Sequence, residues 1–491
     1  MPEAIPVVRD EGLIGPIYRN IYDSIRSSIL NGTIRSGERL PATRAFSNDF
    51  GVSRMTVVNA YEQLIAEGYL ETRRGSGTFV ARALPETFLT IDRLSATSPE
   101  TIKTPDRQLS SVGRHLSLNS ASILANESAT GFRPFQHGLV SLDDFPFPIW
   151  QKMLSQIAQI PLRTLLMKSG ALGYMPLREA VAAHLRAARG VNCEPGNIVI
   201  TDGAQQALDL VARLFVGPGD VVWMDNPGYR GALGAFGAAG ANVLPVGLDG
   251  EGFDLNLAVK KHPIAKMIYT TPSHQFPLGG SMSIGRRLEI LEWADKHGAL
   301  IIEDDYDSEF RYEGRPLASM QGLDRNGRVI YIGTFSKTIF SALRLGCMVV
   351  PTDLIPLFET ARIVTDGHSS LIDQAVLAKF MVDGHFGRHV RRMRKLYAER
   401  QRVFIRLARK YLDRIEFETA PSGMHLVGWL PEGISDQDVS LRMSHRGVRA
   451  APLSDYAIER PKRGGLLFGY AGFSEREMTD ALKRIADLPI G

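Results

Sequence analysis

From about residue 131 to the C-terminus, short apolar runs alternate with stretches of helical character, and this alternation constrains the fold more than any other feature. The runs are rich in Val, Ile and aromatic residues, and they occupy residues 197–201, 220–224, 266–270, 299–302 and 329–332. Strands that alternate with helices form a mostly parallel sheet with helices packed against it. The sequence therefore predicts an α/β domain over residues 131–491.

Length and composition set the wider limits. A chain of 491 residues is long enough for two or three domains, and its 44% hydrophobic and 22% charged content is ordinary for a globular protein. The net charge of +4 neither favours nor excludes nucleic acid. Cys193 and Cys347 lack metal-ligand spacing, so we expect no metal site and no disulfide framework. Without a signal pattern or an apolar stretch of roughly 18 residues, the chain is expected to be cytoplasmic.

A change in composition separates two regions of regular pattern. Residues 84–130 are rich in Ser, Thr and Pro and show no sustained periodicity, which predicts a linker. As a flexible coil, this linker would span roughly 35–40 Å. The predicted division is therefore a module over 15–83, a linker over 84–130 and the α/β domain over 131–491.

The N-terminal module carries the pattern of a helix-turn-helix. Isoleucines recur at every fourth position in residues 17–30, at Ile17, Ile21, Ile25 and Ile29, and they predict one buried helix face. A second helix is predicted over 43–50, and Ser53 is a suitable N-cap for a third that ends near residue 67. The third helix would bury Val57, Tyr61 and Leu64.

Polar side chains of the third helix lie off its buried stripe. Ser53, Arg54, Thr56 and Asn59 occupy these positions, where they could reach phosphates and base edges. Alternating strands on either side of Gly75-Ser76-Gly77, with Arg74 at the tip, predict a hairpin wing. Helix-turn-helix shape alone would also suit a small accessory domain with ordinary surface arginines.

Three stretches resemble the GntR family of winged helix-turn-helix regulators. They are residues 36–44 (SGERLPATR), 50–57 (FGVSRMTV) and 75–79 (GSGTF). In that family the positions that match Arg44, Ser53, Arg54 and Thr56 contact operator DNA, together with the glycine-tipped wing. The resemblance therefore implies DNA as a partner, and it adds Arg74, Gly75 and Gly77 to the predicted contacts.

The α/β region offers the groups that pyridoxal phosphate requires: an amine, an acid for the ring nitrogen, a phosphate cradle and a stacking face. Lys337 follows a predicted strand, and Ser336 and Arg344 are placed to reach a phosphate. The strand over 300–303 ends in an acidic cluster, of which one carboxylate could hold the ring nitrogen. Tyr306 could hydrogen-bond the 3-oxygen of the ring. A magnesium site or a solvated loop would also suit such a cluster.

Three further stretches complete this set. The backbone N–H groups of Gly203, Ala204 and Gln205 begin a predicted helix and would face an anion. Tyr229 follows the next strand and is suited to stacking on a ring, although tyrosines in such turns often serve packing. Residues 271–279 would line the same edge, with His274 or Gln275 near the 3-oxygen.

Together these stretches resemble fold-type-I aminotransferases, and more specifically the MocR/GabR subfamily, in which that domain follows a GntR winged helix. Further stretches that fit are 173–178 (GYMPLR), 270–277 (TTPSHQFP), 302–310 (IEDDYDSEF) and 384–389 (GHFGRH). The resemblance implies that Lys337 forms the Schiff base with pyridoxal 5′-phosphate and that Asp304 pairs with the ring nitrogen. It also implies that Tyr306 and Arg344 contact the 3-oxygen and the phosphate, that Tyr229 stacks, and that the protein is a domain-swapped homodimer.

One segment departs from the aminotransferase pattern. Many of these enzymes bind the substrate carboxylate through an arginine near the C-terminus, where this chain has GLLFGY at 465–470. Arg230 and Arg449 are the remaining candidates for an effector carboxylate. A basic stretch over 388–395 suits the solvent face of a helix, with a second DNA-binding segment as its alternative.

These features predict a cofactor-dependent transcription regulator that senses pyridoxal phosphate or an amine or amino-acid effector, and not primarily an enzyme. Two alternatives stay open. One is an active aminotransferase with an accessory DNA-binding arm, or one limited to a half-reaction. The other is a regulator whose large domain binds an effector without the cofactor.

Overall fold

The computed structural model describes residues 17–84, 108–114, 116–117, 133–159, 170–314 and 317–490. The chain divides into two compact units, residues 1–107 and 108–491, and each is treated by itself. Most of the predicted linker over 84–130 lies outside the described residues. The boundaries predicted for the module and the linker therefore stay predictions.

The N-terminal unit consists of three helices and a hairpin. The helices are α1 (Ile17–Leu30), α2 (Thr43–Phe50) and α3 (Arg54–Ala66), and the strands are β1 (Leu70–Arg73) and β2 (Gly77–Val80). Three of the four isoleucines of α1 are buried as predicted, whereas Ile17 at the helix start is 61% exposed. They pack against Val57, Tyr61 and Leu64 of α3. Because these faces meet, the polar side of α3 is left at the surface.

Local signals fix the ends of the helices in this unit. The Ser53 hydroxyl accepts a hydrogen bond of 3.1 Å from the Thr56 backbone N–H, which confirms the predicted N-cap of α3. Gly51 ends α2 in the left-handed conformation, with φ of 63°. Strands β1 and β2 pair antiparallel around a turn at residues 74–76, which gives the predicted wing its hairpin.

The large unit is built on a seven-stranded sheet of order β3-β11-β10-β9-β8-β4-β5. The strands are β3 (Ile198–Thr201), β4 (Val221–Asp225), β5 (Asn242–Val246), β8 (Met267–Thr270), β9 (Leu300–Asp305), β10 (Val329–Thr334) and β11 (Gly346–Val349). Strand β11 runs antiparallel to both neighbours, and the other pairs are parallel. The predicted α/β fold with a mostly parallel sheet is confirmed.

Helices cover both faces of this sheet, which is why its strands are apolar without alternation. Neighbouring residues Ile301 and Ile302 of β9 face opposite clusters, each of them a sheet–helix core. The helices of this part are α4 (Phe147–Ala158), α5 (Met175–Arg189), α6 (Ala204–Phe215), α7 (Arg230–Ala238), α8 (Leu255–Lys261), α9 (Ile284–His297), α10 (Met320–Leu323), α11 (Ile355–Thr365) and α12 (Leu371–Val382). A two-residue pair, β6 (Leu248–Asp249) and β7 (Gly252–Phe253), precedes α8.

The C-terminal part is a smaller layer of sheet and helix. Its antiparallel sheet has the order β12-β13-β15-β14. The strands are β12 (Glu416–Phe417), β13 (His425–Trp429), β14 (Ala451–Pro452) and β15 (Gly465–Gly469), and the helices are α13 (His385–Tyr411), α14 (Asp436–His445) and α15 (Glu475–Ile485). Phe404 of α13 and Leu482 of α15 bury against Phe468 of β15 in one core.

Candidate functional site

The carboxyl ends of five strands meet at one edge of the large sheet. Strands β3, β4, β8, β9 and β10 all run in the same direction, so the residues that follow them lie side by side. Open α/β sheets bind their ligands at this edge. Here a cavity of about 240 Å³ is lined by residues from the ends of these strands and by parts of the C-terminal layer.

Nine of the ten residues predicted to bind the cofactor line this cavity. They are Gly203, Ala204, Gln205, Tyr229, Asp304, Tyr306, Ser336, Lys337 and Arg344. The tenth, His274, is buried behind Tyr306 and does not line it. The structure therefore brings residues that are up to 141 positions apart in the sequence to one cavity.

Lys337 extends its amine into the cavity from the turn after β10. Its Nζ donates a hydrogen bond of 3.2 Å to the carbonyl oxygen of Gly138. Burial lowers the pKa of Lys337 below its ordinary value, and the negative charges of Asp307 and Asp304 oppose this shift. A lysine with a lowered pKa keeps more of its amine neutral, which is the form that attacks a carbonyl.

Asp304, near the end of β9, is buried in the cavity wall. Its Oδ2 accepts a hydrogen bond of 2.7 Å from the hydroxyl of Tyr269. Its Oδ1 is also buried, and within the described residues it has no hydrogen-bond partner. Burial raises the pKa of Asp304 to about 7, against the effect of the Tyr269 hydrogen bond. An unpaired buried acceptor of this kind is expected to face a donor from a ligand.

An anion cradle forms where β3, α6 and β11 approach one another. Gly203 is the N-cap of α6, with φ of 92°, so the first N–H groups of that helix face the cavity. Arg344 adopts the left-handed conformation, with φ of 50°, and a Cβ on Gly203 would lie 3.9 Å from its guanidinium group. A guanidinium group beside a helix N-terminus provides charge and directed donors for a phosphate.

Two aromatic side chains close other sides of the cavity. The hydroxyl of Tyr229 donates a hydrogen bond of 3.2 Å to Gln205. The hydroxyl of Tyr306 lies 2.7 Å from Nδ1 of His274, and the same nitrogen lies 2.9 Å from a carboxylate oxygen of Asp307. Both tyrosine rings are therefore held in place by hydrogen bonds behind the cavity surface.

The acidic cluster at the end of β9 does not converge on one point. Glu303 accepts hydrogen bonds from the backbone N–H groups of Met320 and Gln321, and Asp305 pairs with Arg189. Within the described part of the chain, no group of three His, Cys, Asp or Glu side chains could hold a metal ion.

Several cavity residues were not predicted. They are His137, Gly138, Tyr269, Asp307, Thr334, Ser341, Met424 and His425, whereas Thr271 and Phe276 belong to the stretch 271–279 that was predicted to line this edge. Tyr269 is the most informative of them, because it sits inside an apolar strand that gives no signal of chemistry. His137 and Gly138 reach the cavity because Phe135 is anchored in the C-terminal core and accepts a backbone hydrogen bond from Gly469.

The two predicted carboxylate-binding arginines do not line the cavity. Arg230 and Arg449 both act electrostatically on Tyr456, whose hydroxyl lies 3.2 Å from Nε2 of His137. The segment 465–470 contains no arginine, and it forms a fully buried strand and its continuation. Arg230 and Arg449 thus lie in the surroundings of the cavity, next to residues of its wall.

The predicted DNA-contacting residues lie at the surface of the N-terminal unit. Arg44, Ser53, Arg54 and Asn59 are exposed on α2 and α3, and Thr56 is half-buried between them. At the wing, the exposed residues are Arg74, Gly75 and Gly77. A Cβ on Gly77 would lie 2.9 Å from Nε of Arg39, so Arg39, which was not predicted as a contact, lies beside the tip of this wing.

The fold and the cavity together define a class of protein: a winged helix-turn-helix module joined to a domain of the aminotransferase type. Residues 17–80 match the family of bacterial regulatory proteins known as the gntR family, and residues 162–485 match the aminotransferases of class I and II. Aminotransferases of this class depend on pyridoxal phosphate. No helix in the described part of the chain has the length and apolarity needed to cross a membrane.

Full-length relatives show the same combination of domains. The chain is 37% identical to the probable rhizopine catabolism regulatory protein MocR of Rhizobium meliloti, over 98% of this chain and 95% of the relative. It is 30% identical to the HTH-type transcriptional regulator TauR of Rhodobacter capsulatus, over 96% of each. The chain belongs to the MocR-type transcription regulators, in which a GntR-family helix-turn-helix precedes an aminotransferase-like domain.

Solved structures agree with this assignment of the large unit. A multiple substrate aminotransferase from Thermococcus profundus aligns with a TM-score of 0.70 and 27% identity, over 77% of this chain and 96% of the other.

Proposed function

We propose that the large unit holds pyridoxal 5′-phosphate on Lys337 and that the state of this cofactor, or its reaction with an amine or amino-acid effector, regulates DNA binding. The observation that carries the proposal is the convergence of Lys337, Asp304, Tyr306, Arg344 and the start of α6 on one cavity. Each of the four requirements of the cofactor is met there by a residue that faces the same space.

The buried Asp304 oxygen that has no hydrogen-bond partner within the described residues supports the fit of this cofactor. A buried carboxylate oxygen without a partner is costly, and the protonated ring nitrogen of pyridoxal phosphate is a donor of matching charge. Tyr269 holds the other oxygen and so fixes the direction of the carboxylate. When bound, the cofactor supplies a carbonyl that reacts with amines and a ring that accepts electrons.

The remaining side chains orient and enclose the group. Ser336, Arg344 and the N–H groups of Gly203, Ala204 and Gln205 would bind the phosphate. Tyr229 would cover one ring face, and Tyr306 would donate to the 3-oxygen. His274 supports Tyr306 from behind, so its role is to position the tyrosine.

An effector with an amino group would compete with Lys337 for the cofactor, and this competition gives the protein a chemical input. Arg230 and Arg449 are the candidates for an effector carboxylate, because they lie near Tyr456 and His137 beside the cavity. A ligand changes DNA affinity only if it binds the DNA-competent and the incompetent states unequally.

On the DNA side, we propose that the exposed residues of α2, α3 and the wing read the operator. They are Arg44, Ser53, Arg54, Thr56, Asn59, Arg74, Gly75 and Gly77. Arg54→Ala should lower operator affinity, and the exposed Arg19→Ala of α1 serves as the control. Equal affinity of the two variants for the operator would contradict the assignment.

The decisive experiment for the cofactor uses visible absorption. Pyridoxal phosphate added to the full chain should give a band that Lys337→Ala abolishes, with unchanged circular dichroism. A band of equal intensity in Lys337→Ala would contradict the proposal. Binding of an effector in the absence of any such band would instead favour a cofactor-independent regulator.

We also propose a homodimer with swapped domains. Helix α11 carries apolar side chains that an interface between two copies of the chain would cover. They are Leu357, Ile363 and Val364, which are 42%, 55% and 79% exposed. Light scattering should give twice the mass of the chain, and a monomer at micromolar concentration would contradict this part.

An active aminotransferase is the second candidate, and the complete set of cavity residues favours it. The absence of an arginine in the buried segment 465–470 favours regulation. Sustained turnover of an amine donor with a keto acid would support the enzyme, and a single half-reaction or none would support the regulator.

A further inference from the structure

One helix carries an excess of positive charge that the rest of the chain does not share. Helix α13 contains ten Arg or Lys residues and one acidic residue, Glu399, for a net charge of +9. The whole chain has a net charge of only +4, so the remainder of the protein carries −5. The positive charge is thus concentrated on 27 of 491 residues.

These charges lie at the surface, and five of the ten basic side chains make a hydrogen bond or ion pair within the described residues. Nine of the ten basic side chains are exposed, and Arg400 is the exception, with Asp144 as its partner. Among the exposed ones, Arg406 pairs with Glu475. Arg391, Arg392 and Lys395 make no hydrogen bond or ion pair within the described residues. Like charges three or four residues apart destabilise a helix, so the exposed basic residues of α13 lower the stability of this helix.

Six of the exposed basic residues form a stripe, which is interrupted at the position of the acidic Glu399. Arg388, Arg391, Lys395, Arg402, Arg406 and Arg409 follow one another at spacings that keep them on one side of the helix, with a single interruption. At 1.5 Å per residue, the stripe is about 32 Å long. This length is close to the ~34 Å of one turn of duplex DNA.

We propose that this stripe, the basic face of α13, binds the phosphate backbone of duplex DNA, as a second and sequence-independent contact besides the winged helix. Eight of the ten basic residues of α13 are arginines, whose planar groups bind phosphate through paired donors. Neutralising phosphates releases counterions, and this drives binding without any reading of bases.

A membrane surface fits the helix less well. Helices that lie on membranes bury an apolar face between the lipids. The apolar face of α13 is already buried in the protein core, through Met393, Tyr397, Phe404 and Ile405. Only charge is left to face a partner, and a duplex offers the denser line of negative charge.

The test neutralises the part of the stripe that has no role in the fold. The variant is Arg391→Gln/Lys395→Gln/Arg409→Gln, three exposed stripe residues that make no hydrogen bond or ion pair within the described residues, because glutamine keeps helix propensity while it removes charge. The matched control is Lys260→Gln/Lys296→Gln/Arg325→Gln, which removes three exposed charges from the same unit. Fluorescence anisotropy of the full chain with a duplex of several turns and arbitrary sequence is measured over a series of KCl concentrations.

The expected result is a change in salt dependence. Each lost phosphate contact reduces the magnitude of the slope of log affinity against log salt by ~0.9, so the slope of the triple variant should be about 2.7 shallower than that of the wild type. At low salt, the affinity of the variant for the duplex should be at least tenfold weaker. The control triple variant should keep the wild-type slope. A slope in the α13 variant equal to that of the control would overturn the proposal.

Two further arms separate this proposal from others. Anionic phosphatidylserine vesicles or single-stranded RNA that bind through α13, while the slope for duplex DNA is unchanged, would also overturn it. Arg54→Ala is measured in parallel for the winged helix. With the arbitrary duplex, loss of affinity in the α13 variant alone would support the stripe, and loss in Arg54→Ala alone would overturn it. Operator reading by α3 is judged separately, from the affinity of Arg54→Ala for operator DNA.

Discussion

The hydroxyl oxygen of Tyr306 lies 2.7 Å from Nδ1 of His274. The same nitrogen lies 2.9 Å from Asp307, so one ring atom serves both a phenol and a carboxylate. The imidazole is held between two glycines, since a Cβ on Gly423 or Gly279 would lie 2.2 Å or 3.3 Å from the ring. Tyr306 in the cavity wall is thereby linked through His274 to Asp307. The negative charge of Asp307 opposes the lowering of the Lys337 pKa by burial.

This relationship predicts a shift in the titration of the bound cofactor. Burial lowers the pKa of Lys337 and the charge of Asp307 opposes this shift, so Asp307→Asn should lower the pH midpoint of the visible band. His274→Gln should act in the same direction but less, because burial raises the pKa of Asp307 and His274 opposes that rise. Asp209→Asn, on the outer side of α6, should leave the midpoint in place, and equal midpoints in all variants would contradict the link.

Asp304 should determine cofactor affinity. Asp304→Asn replaces a charge-assisted hydrogen bond of about 1.5–3 kcal/mol, so affinity for pyridoxal phosphate should fall about 10- to 100-fold. Tyr269→Phe should have a smaller effect, because the carboxylate stays. The pKa of Asp304 is about 7, so affinity should also weaken as the pH falls below 7. Titration of the visible band measures both, and an unchanged affinity of Asp304→Asn would argue against the ring-nitrogen contact.

Gly138 should tolerate no side chain next to the amine. A Cβ there would lie 2.8 Å from Nζ of Lys337, at a φ of +81°. Gly138→Ala should therefore weaken attachment of the cofactor. Gly298→Ala is the matched control, since its φ is +69° and no atom lies within 4 Å of its Cβ. If the two variants give similar absorption spectra, any loss of the visible band comes from backbone strain alone, and the predicted contact between the new Cβ and the Lys337 amine is contradicted.

Removal of the Ser53 cap should loosen the DNA-binding module. Ser53→Ala loses the hydrogen bond to the Thr56 N–H and should cost the N-terminal unit about 1 kcal/mol. Ser53→Asn keeps a capping oxygen and should retain most of the stability. Hydrogen exchange of α3 in the full chain measures the difference, and equal protection in both variants would contradict the role of the cap.

His389 should make the large unit sensitive to acid. Its Nε2 donates to the Thr338 carbonyl at 2.9 Å, and burial lowers its pKa from 6.5 to about 4. Unfolded chains bind its proton more readily, so the stability that the neutral form contributes is complete above pH 6.5 and is lost between 6.5 and 4.

The stability advantage of wild type over His389→Gln should therefore shrink by about 2 kcal/mol between pH 6.5 and 5. Denaturant unfolding at the two pH values measures this difference. The exposed His445→Gln should show no such change, and a constant advantage of the wild type over His389→Gln would refute the assignment.

Local pattern was sufficient to predict the residues that follow strands. The residue type and the position after a strand were enough to identify these residues. Ser336, Lys337 and Arg344 follow β10, and Asp304 and Tyr306 lie at the end of β9. The Ser53 cap was predictable for the same reason. These features depend on neighbours within a few positions.

Residues that reach the cavity through tertiary packing were not predictable. Tyr269 sits within an apolar strand, and His137 enters from a distant segment that is fixed by the C-terminal core. His274 was placed near the 3-oxygen, but the structure places Tyr306 between it and the cavity. The direction of the His274 side chain depends in part on Gly423 and Asp307, which are distant in the sequence.

The anion cradle can form only after β11 has joined the sheet. A Cβ on Gly346 would lie 2.9 Å from the carbonyl oxygen of Gly333 and 3.0 Å from Cα of Gly203, so three distant segments meet there with no space between them. A ribosome must therefore release residues beyond Val349 before Gly203 and Arg344 can face one phosphate. Met424 and His425 of the C-terminal layer also line the cavity, so the newly made chain completes its cofactor site only after that layer has been synthesised.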